Sequence, residues 1–304
     1  MASSKTPHRH YALIGAALAF IASIAFSAKA ILVKLAYVYP VDAVTLLTLR
    51  MVFSVPFFLA IGVWQAHGSH RNDLSVRDWL AVIVLGLIGY YVGSLLDFWG
   101  LYYIPASLER LILFLYPTLV LLLSAWWLRR RIRAREVYAL IVCYAGIALL
   151  VVKGTALHGA HLTLGAALVF GSAFTYAIYL IGSDTLIARI GSIRFTAYSM
   201  TVTSIAIVLH FLVTHELAAL NQPSAVYWLA IGMALLSTVL PAFLLAEALH
   251  RIGAKTTSII GSVGPVATLI MGALVLGETI TTLQLLGTAI VIAGVLWISL
   301  HRTA

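Results

Sequence analysis

Long apolar runs separated by short polar breaks dominate this chain, and nowhere do polar and apolar positions alternate strictly. Ten runs approach or exceed the ~20 residues a helix needs to cross a bilayer: 11–35, 44–65, 79–103, 107–128, 137–152, 162–186, 195–213, 226–250, 256–276 and 282–300. The fifth is the shortest. Strands of a membrane barrel would be about half as long and would alternate. The pattern therefore predicts an all-α membrane protein of ten transmembrane helices. Its longest connections lie around 67–78 and 215–224, too short for a soluble domain.

The runs also repeat. GAALAF at 15–20 returns as GAALVF at 165–170, an offset of 150, while Pro117 and Gly146 return as Pro265 and Gly294, both offset by 148. Near-equal offsets across half the chain indicate a tandem duplication, dividing it into 11–152 (spans 1–5) and 162–300 (spans 6–10). An odd number of spans per copy turns the second copy over in the membrane. The halves are then inverted repeats, an arrangement that places transporter sites near the bilayer midplane between them.

Composition agrees with lipid as the solvent: 62% of residues are hydrophobic, 10% are charged, and mean hydropathy is +1.04, more apolar than a water-soluble domain. The net charge of +9 raises the question of nucleic acid, but its distribution answers otherwise. Arg71, Arg77, Arg129, Arg130, Arg131, Arg133, Arg135, Arg189, Arg194, Arg251 and Lys255 share one side with Lys5, Arg9 and Arg302, leaving Lys34, Arg110 and Lys153 opposite. This positive-inside bias puts both termini in the cytoplasm. The basic run at 129–135 reads as a topology anchor that can touch anionic lipid, and no nucleic-acid partner is expected. The single cysteine, Cys143, lies in the fifth run and has no internal disulfide partner. The start of the chain imitates a signal peptide, with Ala28-Lys29-Ala30 as a cleavage site. Cleavage there would delete one of the matched helices, so retention is expected.

Pro265, an apolar run, Leu276-Gly277-Glu278, a polar pair and Gly287 and Gly294 in the following span form a pattern that resembles the EamA domain of the drug/metabolite transporter superfamily. Pro117 matches the same motif in the first half, where Leu128-Arg129-Arg130 stands in place of Leu276-Gly277-Glu278. The resemblance covers essentially the whole chain. It implies two five-helix EamA repeats and specifies fold better than substrate.

Ionisable side chains are costly inside a membrane and usually face the bundle interior or a wet cavity. Lys29, Arg50, Asp97, Glu109 and Arg110 all fall in the outer part of their spans and can form one network; Glu109 and Arg110, at a helix start, can equally be solvated. Tyr90, Ser94 and Asp97 share a helical face at i, i+4 and i+7. Ser172, Thr175, Tyr176, Tyr179 and Ser183 form another stripe, and shifting it back by 150 puts Lys29 on the equivalent inward face. Pairing of Asp97 with Lys29 or Arg110 would gate the outer mouth; the other reading is a static pair that fixes register. Lys29, Ser94, Asp97 and the rings of Tyr90, Tyr116, Tyr176 and Tyr179 are the candidate substrate contacts. Glu247, beside His250 and Arg251, is either a proton or substrate contact or an interfacial cap. Pro117 and Pro265 each remove a helix hydrogen bond near mid-span, which permits a matched bend.

No HExxH, GxxxxGK[ST] or GxSxG motif is present, and the histidine pairs His67/His70 and His158/His161 lack a third ligand nearby. Neither an enzyme, a metal site nor a cofactor is expected. These features point to a secondary transporter of the inner membrane, an exporter of small metabolites such as amino acids working by alternating access. An antiporter of anionic or phosphorylated metabolites is the alternative, with a non-transport scaffold or enzyme behind it. Expected partners are a small-molecule substrate and the bilayer; proton coupling and a homodimer are left open.

Overall fold

The computed structural model describes residues 6–68, 74–127, 137–138, 141, 160–261 and 263–301. The first half contains α1 (Thr6–Ala36), α2 (Ala43–Gly68), α3 (Val76–Gly86), α4 (Gly93–Tyr103), α5 (Ala106–Leu113) and α6 (Tyr116–Trp127). The second contains α7 (Ala160–Ile190), α8 (Ser192–Thr214), α9 (Ser224–Ala234), α10 (Leu240–Gly261), α11 (Val263–Leu276) and α12 (Thr282–His301). Among the described residues there is no strand. Seven helical segments are long and apolar enough to cross a membrane: Tyr11–Ala36, Ala43–Gln65, Val76–Tyr103, Ala106–Trp127, His161–Ser183, Ser192–Thr214 and Ser224–Ile252. Val263–Leu276 and Thr282–Ala293 are shorter apolar helices. The chain is thus an all-helical, multi-pass membrane protein. The expected fifth span at 137–152, Cys143 and the basic run at 129–135 lie outside the described residues, apart from Val137, Tyr138 and Ile141.

Local polar signals mark the breaks between apolar runs. Asp42 accepts hydrogen bonds from the Val44 and Thr45 amides at 2.8 and 3.0 Å and starts α2, supplying the acceptor that a helix N-terminus lacks. Ser75 and Asp78 form a capping box at α3. Gly191 (φ 84°) separates α7 from α8, and Gly277 (φ 67°) follows α11; a residue without Cβ adopts that left-handed backbone at least cost.

Two features differ from the apolar pattern. The run at 107–128 is two helices, interrupted at Phe114–Leu115, so Pro117 occupies the first turn of α6 rather than bending a continuous span. A first turn needs no amide donor, which is why proline is tolerated there. Pro265 lies in α11 close to residue 262, which is outside the described residues. Finally, π-helical turns at Leu87–Val92 and Leu235–Val239 join α3 to α4 and α9 to α10. Their starts are 148 residues apart.

Helix directions follow from named contacts with α1. Gly232 faces Leu32 and His250 meets the Tyr11 hydroxyl at 3.3 Å, so the segment 232–250 runs antiparallel to α1. Gly15 then faces Arg251 and Ile252, Ser23 donates to the Gly261 carbonyl and Ser27 to that of Gly264. The chain therefore reverses near His250–Ile252 and returns parallel to α1. The other glycine of the repeated phrase, Gly165, faces Tyr103 and Ile104 at the α4–α5 turn. The largest buried cluster gathers α1, α2, α4, α8 and α9 around residues such as Leu46, Met51, Phe58, Phe98, Phe211 and Met233.

Candidate functional site

Three helices bring opposite charges together inside the bundle. Lys29 of α1 places Nζ 2.5 Å from Asp97 Oδ2 on α4 and 3.1 Å from Glu109 Oε1 on α5, with the three side chains 14, 4 and 0% exposed. Asp97 Oδ1 and both Glu109 oxygens make no hydrogen bond. One ammonium thus answers two carboxylates where water is scarce, and the attraction that remains must offset a large desolvation penalty. Of the two partners expected for Asp97, Lys29 is the one found. Glu109, in the first turn of α5, is buried rather than solvated.

Arg50 of α2 and Arg110 of α5 flank this trio, near enough for electrostatic attraction between Arg50 and Asp97 and between Arg110 and Glu109. Arg50 Nε donates to Thr238 Oγ1 at 2.8 Å, and its guanidinium lies 5.4 Å from the Phe98 ring centroid. Thr238 in turn donates to the Met233 carbonyl, five residues back, at 2.8 Å; the π turn presents it there. Arg110 packs against Gly264 of α11, where an added Cβ would stand 2.8 Å from its guanidinium, and its buried Nε lacks a hydrogen-bond partner.

A tyrosine cluster joins the π turn, α6 and α7. Tyr90 in the π turn packs edge-on to Tyr179 and Tyr176 of α7, with centroids 4.8 and 6.3 Å apart, and Tyr116 of α6 meets Tyr176 at 5.3 Å. The structure therefore unites all four tyrosines named from the sequence. Edge-on packing sets the electropositive rim of one ring against the π face of another. Ser94 is half-buried on α4, while Ser172 and Ser183 are buried on α7 with Tyr179. The π turn means that Tyr90 and Asp97 do not share one uninterrupted α-helical register.

Glu247 joins neither group. It accepts from Arg251 Nε at 2.6 Å, Arg251 lies 4.6 Å from the Tyr11 ring centroid, and Glu247 lines one end of an apolar cleft of about 530 Å³ bounded by Ile193, Leu235, Val239 and Phe243. His161 stacks on Tyr103 at 5.8 Å; His70 and His158 lie outside the described residues. Among the described residues no three His, Cys, Asp or Glu side chains are grouped to hold a metal ion.

Glu278 is the residue whose place the sequence pattern did not disclose. Its Oε1 accepts from the Ala106 amide at 2.7 Å, and its Oε2 accepts from the Ser107 amide at 3.2 Å and the Ser107 hydroxyl at 2.7 Å. The signal was the Leu276-Gly277-Glu278 motif, which names the residue but not its partner in the other half.

A profile of the EamA-like transporter family matches residues 13–152 and again residues 163–300. The chain belongs to the EamA-like transporter family. The uncharacterized transporter YcbK of Bacillus subtilis is 31% identical over 286 residues, covering 91% of this chain and 89% of its own. A probable terminal-alkyne amino-acid exporter of Streptantibioticus cattleyicolor is 27% identical over 230 residues, covering 73% of this chain and 74% of its own. A solved structure described only as the crystal structure of a protein superposes with a TM-score of 0.64 at 16% identity, over 94% of this chain and 96% of that one, and so shares its fold. This EamA protein is a membrane transporter, and the buried charges and the tyrosine cluster are its candidate transport machinery.

Proposed function

We propose that this EamA protein is a secondary transporter that exports small metabolites such as amino acids across the cytoplasmic membrane by alternating access, with both termini in the cytoplasm. The observation that carries the reading is the trio Lys29–Asp97–Glu109: charges from three helices, buried within apolar segments long enough to span a membrane, with carboxylate oxygens left without hydrogen bonds. Making and breaking the Lys29–Asp97 contact gates one mouth, and the tyrosine cluster receives the apolar part of the substrate. The exporter name of the Streptantibioticus relative supports the direction and the substrate class.

The architecture we propose is ten helices in two inverted five-helix repeats, 11–152 and 162–300. Its support is an echo in packing. Gly15 receives the turn at Arg251–Ile252, and Gly165 receives the turn at Tyr103–Ile104, positions related by 148 residues; the two π turns carry the same offset. Charged pairs also sort to two ends: Asp42 with His215 at one, Asp78 with Arg189 and Glu247 with Arg251 at the other.

The second reading, an antiporter of anionic or phosphorylated metabolites, is favoured by Arg110, whose buried Nε has no hydrogen-bond partner, and by three cations, Lys29, Arg50 and Arg110, against two carboxylates. Flux in proteoliposomes, with labelled amino acids, sugar phosphates and cationic drugs and with or without a pH gradient, separates the two. Asp97→Asn is expected to slow amino-acid flux by about tenfold or more, the effect of losing ~1.4 kcal/mol of charge pairing. Unchanged flux and pH dependence in correctly inserted protein would remove the gate.

A further inference from the structure

We infer that Glu278 is a latch between the two halves, holding the N-terminus of α5 in place and thereby keeping one mouth of the transport path closed. The inference rests on the transport reading above.

The argument begins with α5 itself. It is only eight residues long, with extended backbone at Ile104 and Pro105 before it and the break at Phe114–Leu115 after it. Non-helical joints at both ends let this segment pivot while α4 and α6 keep their own hydrogen bonds. It also carries Glu109 and Arg110 into the bundle, so its position decides whether Lys29 has one carboxylate partner or two.

Two polar ties hold α5, beside the apolar packing of Leu108, Leu111 and Ile112. Deeper in the bundle, Glu109 holds Lys29 at 3.1 Å. At the end, the Glu278 carboxylate takes two amides and one hydroxyl from Ala106 and Ser107. Amides in a first turn have no partner within the helix and carry the positive end of its dipole, so an anion satisfies them in both respects. These bonds join residues 171 or 172 positions apart, linking the loop after α11 to the first half.

Local structure aims Glu278 at α5. Gly277 takes φ 67°, and the Glu278 amide donates back to the Gly272 carbonyl at 3.1 Å. A Cβ on Gly272 would lie 2.9 Å from Glu278 Oε2, so the bare glycine leaves room for the carboxylate. In the first half, position 130, offset by 148, is Arg130. A guanidinium has no acceptor and cannot take amide hydrogens. The latch therefore belongs to the α5 mouth and has no sequence counterpart at the other.

Glu278 is a positioning residue and does not touch substrate. Its test is carried out on the full chain with Cys143→Ala and a reporter Ser23→Cys, a buried site on α1 that packs against Gly261. Labelling by a membrane-impermeant thiol reagent is compared in right-side-out and inverted vesicles. Glu278→Ala is expected to raise labelling from the α5 mouth by about tenfold, the scale of a lost helix cap, and to lower it from the opposite side. Glu278→Gln, which keeps one acceptor oxygen, is expected to do less. Unchanged labelling, or an equal rise from both sides as in simple loosening, would overturn the latch. Should Glu278→Ala fail to insert, the Ser107→Cys/Glu278→Cys pair replaces it: oxidation is expected to arrest flux and reductant to restore it, and full flux in cross-linked protein would overturn the proposal. Flux without a labelling shift removes the latch alone. A labelling shift in a protein that moves no solute keeps the latch and removes the transport reading.

Discussion

At the scale of single residues, the polar side chains divide between those that shape the ends of helices and those held inside the bundle. Asp42 belongs to the first kind, outside the spanning segments. Burial raises its carboxyl, but the hydroxyl and amide of Thr45, the facing His215 and the Val44 amide outweigh that and hold its pKa below the ordinary value. A carboxylate whose folded pKa is depressed adds stability that is fully present above its unfolded pKa of about 3.9 and is lost as pH falls through the lower folded value. Asp42→Ala is therefore expected to lower stability in detergent by roughly 1 kcal/mol at neutral pH, the usual worth of an N-cap. The difference should shrink as pH falls through the lowered folded pKa; melting curves at neutral and acidic pH check it, and a gap that does not narrow in acid would refute the assignment. Tyr37, also just outside a span, has its phenol raised by burial and by the neighbouring Asp97 and Asp42 carboxylates, and it donates to the Phe98 carbonyl at 2.8 Å.

At the scale of elements, the closest approach between α4 and α7 depends on missing side chains. A Cβ on Gly100 would stand 2.4 Å from Val169 Cγ2 and 3.0 Å from the Gly165 carbonyl; a backbone atom cannot move aside as a side chain can. Gly100→Ala is expected to destabilise the protein by about 1–3 kcal/mol through overpacking. Gly232→Ala, whose nearest neighbour would be Leu32 Cδ1 at 3.8 Å, is expected to be neutral or slightly stabilising, since alanine is the better helix former. Apparent melting temperatures of the two variants measure the contrast, and equal losses would contradict the packing argument. Gly86, Gly89 and Gly93 meet Ser199, Tyr179 and Thr175 at short range, contacts that closely spaced glycines within an apolar span make legible. The helix interruption before Pro117 was not legible in the same way, because proline is compatible with both a bent helix and a fresh start.

At the scale of the whole molecule, each side of the membrane is expected to carry its own set of ties. A reporter that fluoresces only in the cytoplasm, fused at the C-terminus, is expected to be bright, and an exported enzyme inserted in the connection between α8 and α9 is expected to be active. The reverse result would invert the orientation proposed from basic residues while leaving the contacts intact. Inversion would also exchange the faces assigned to Glu278 and Glu247, so this measurement fixes which mouth the latch controls.

The sequence by itself determined the solvent, the helical class and the family. Runs of apolar residues long enough to cross lipid can satisfy their backbone groups in few ways other than helices, and the offsets of 148 and 150 are written in the residues themselves. It also named the side chains of the trio and of the tyrosine cluster, because charges and hydroxyls within apolar runs stand out. Which of them meet was decided by tertiary structure. Lys29 faces Asp97 and Glu109, while Arg110 turns to Gly264, through the relative rotation and depth of α1, α4, α5 and α11. The π turns shift that rotation by inserting residues into a turn, and no residue type marks them. The link from Glu278 to Ala106 and Ser107 likewise joins parts of the chain 171 or 172 residues apart, and a local pattern holds no information about a partner that only folding brings within hydrogen-bond reach.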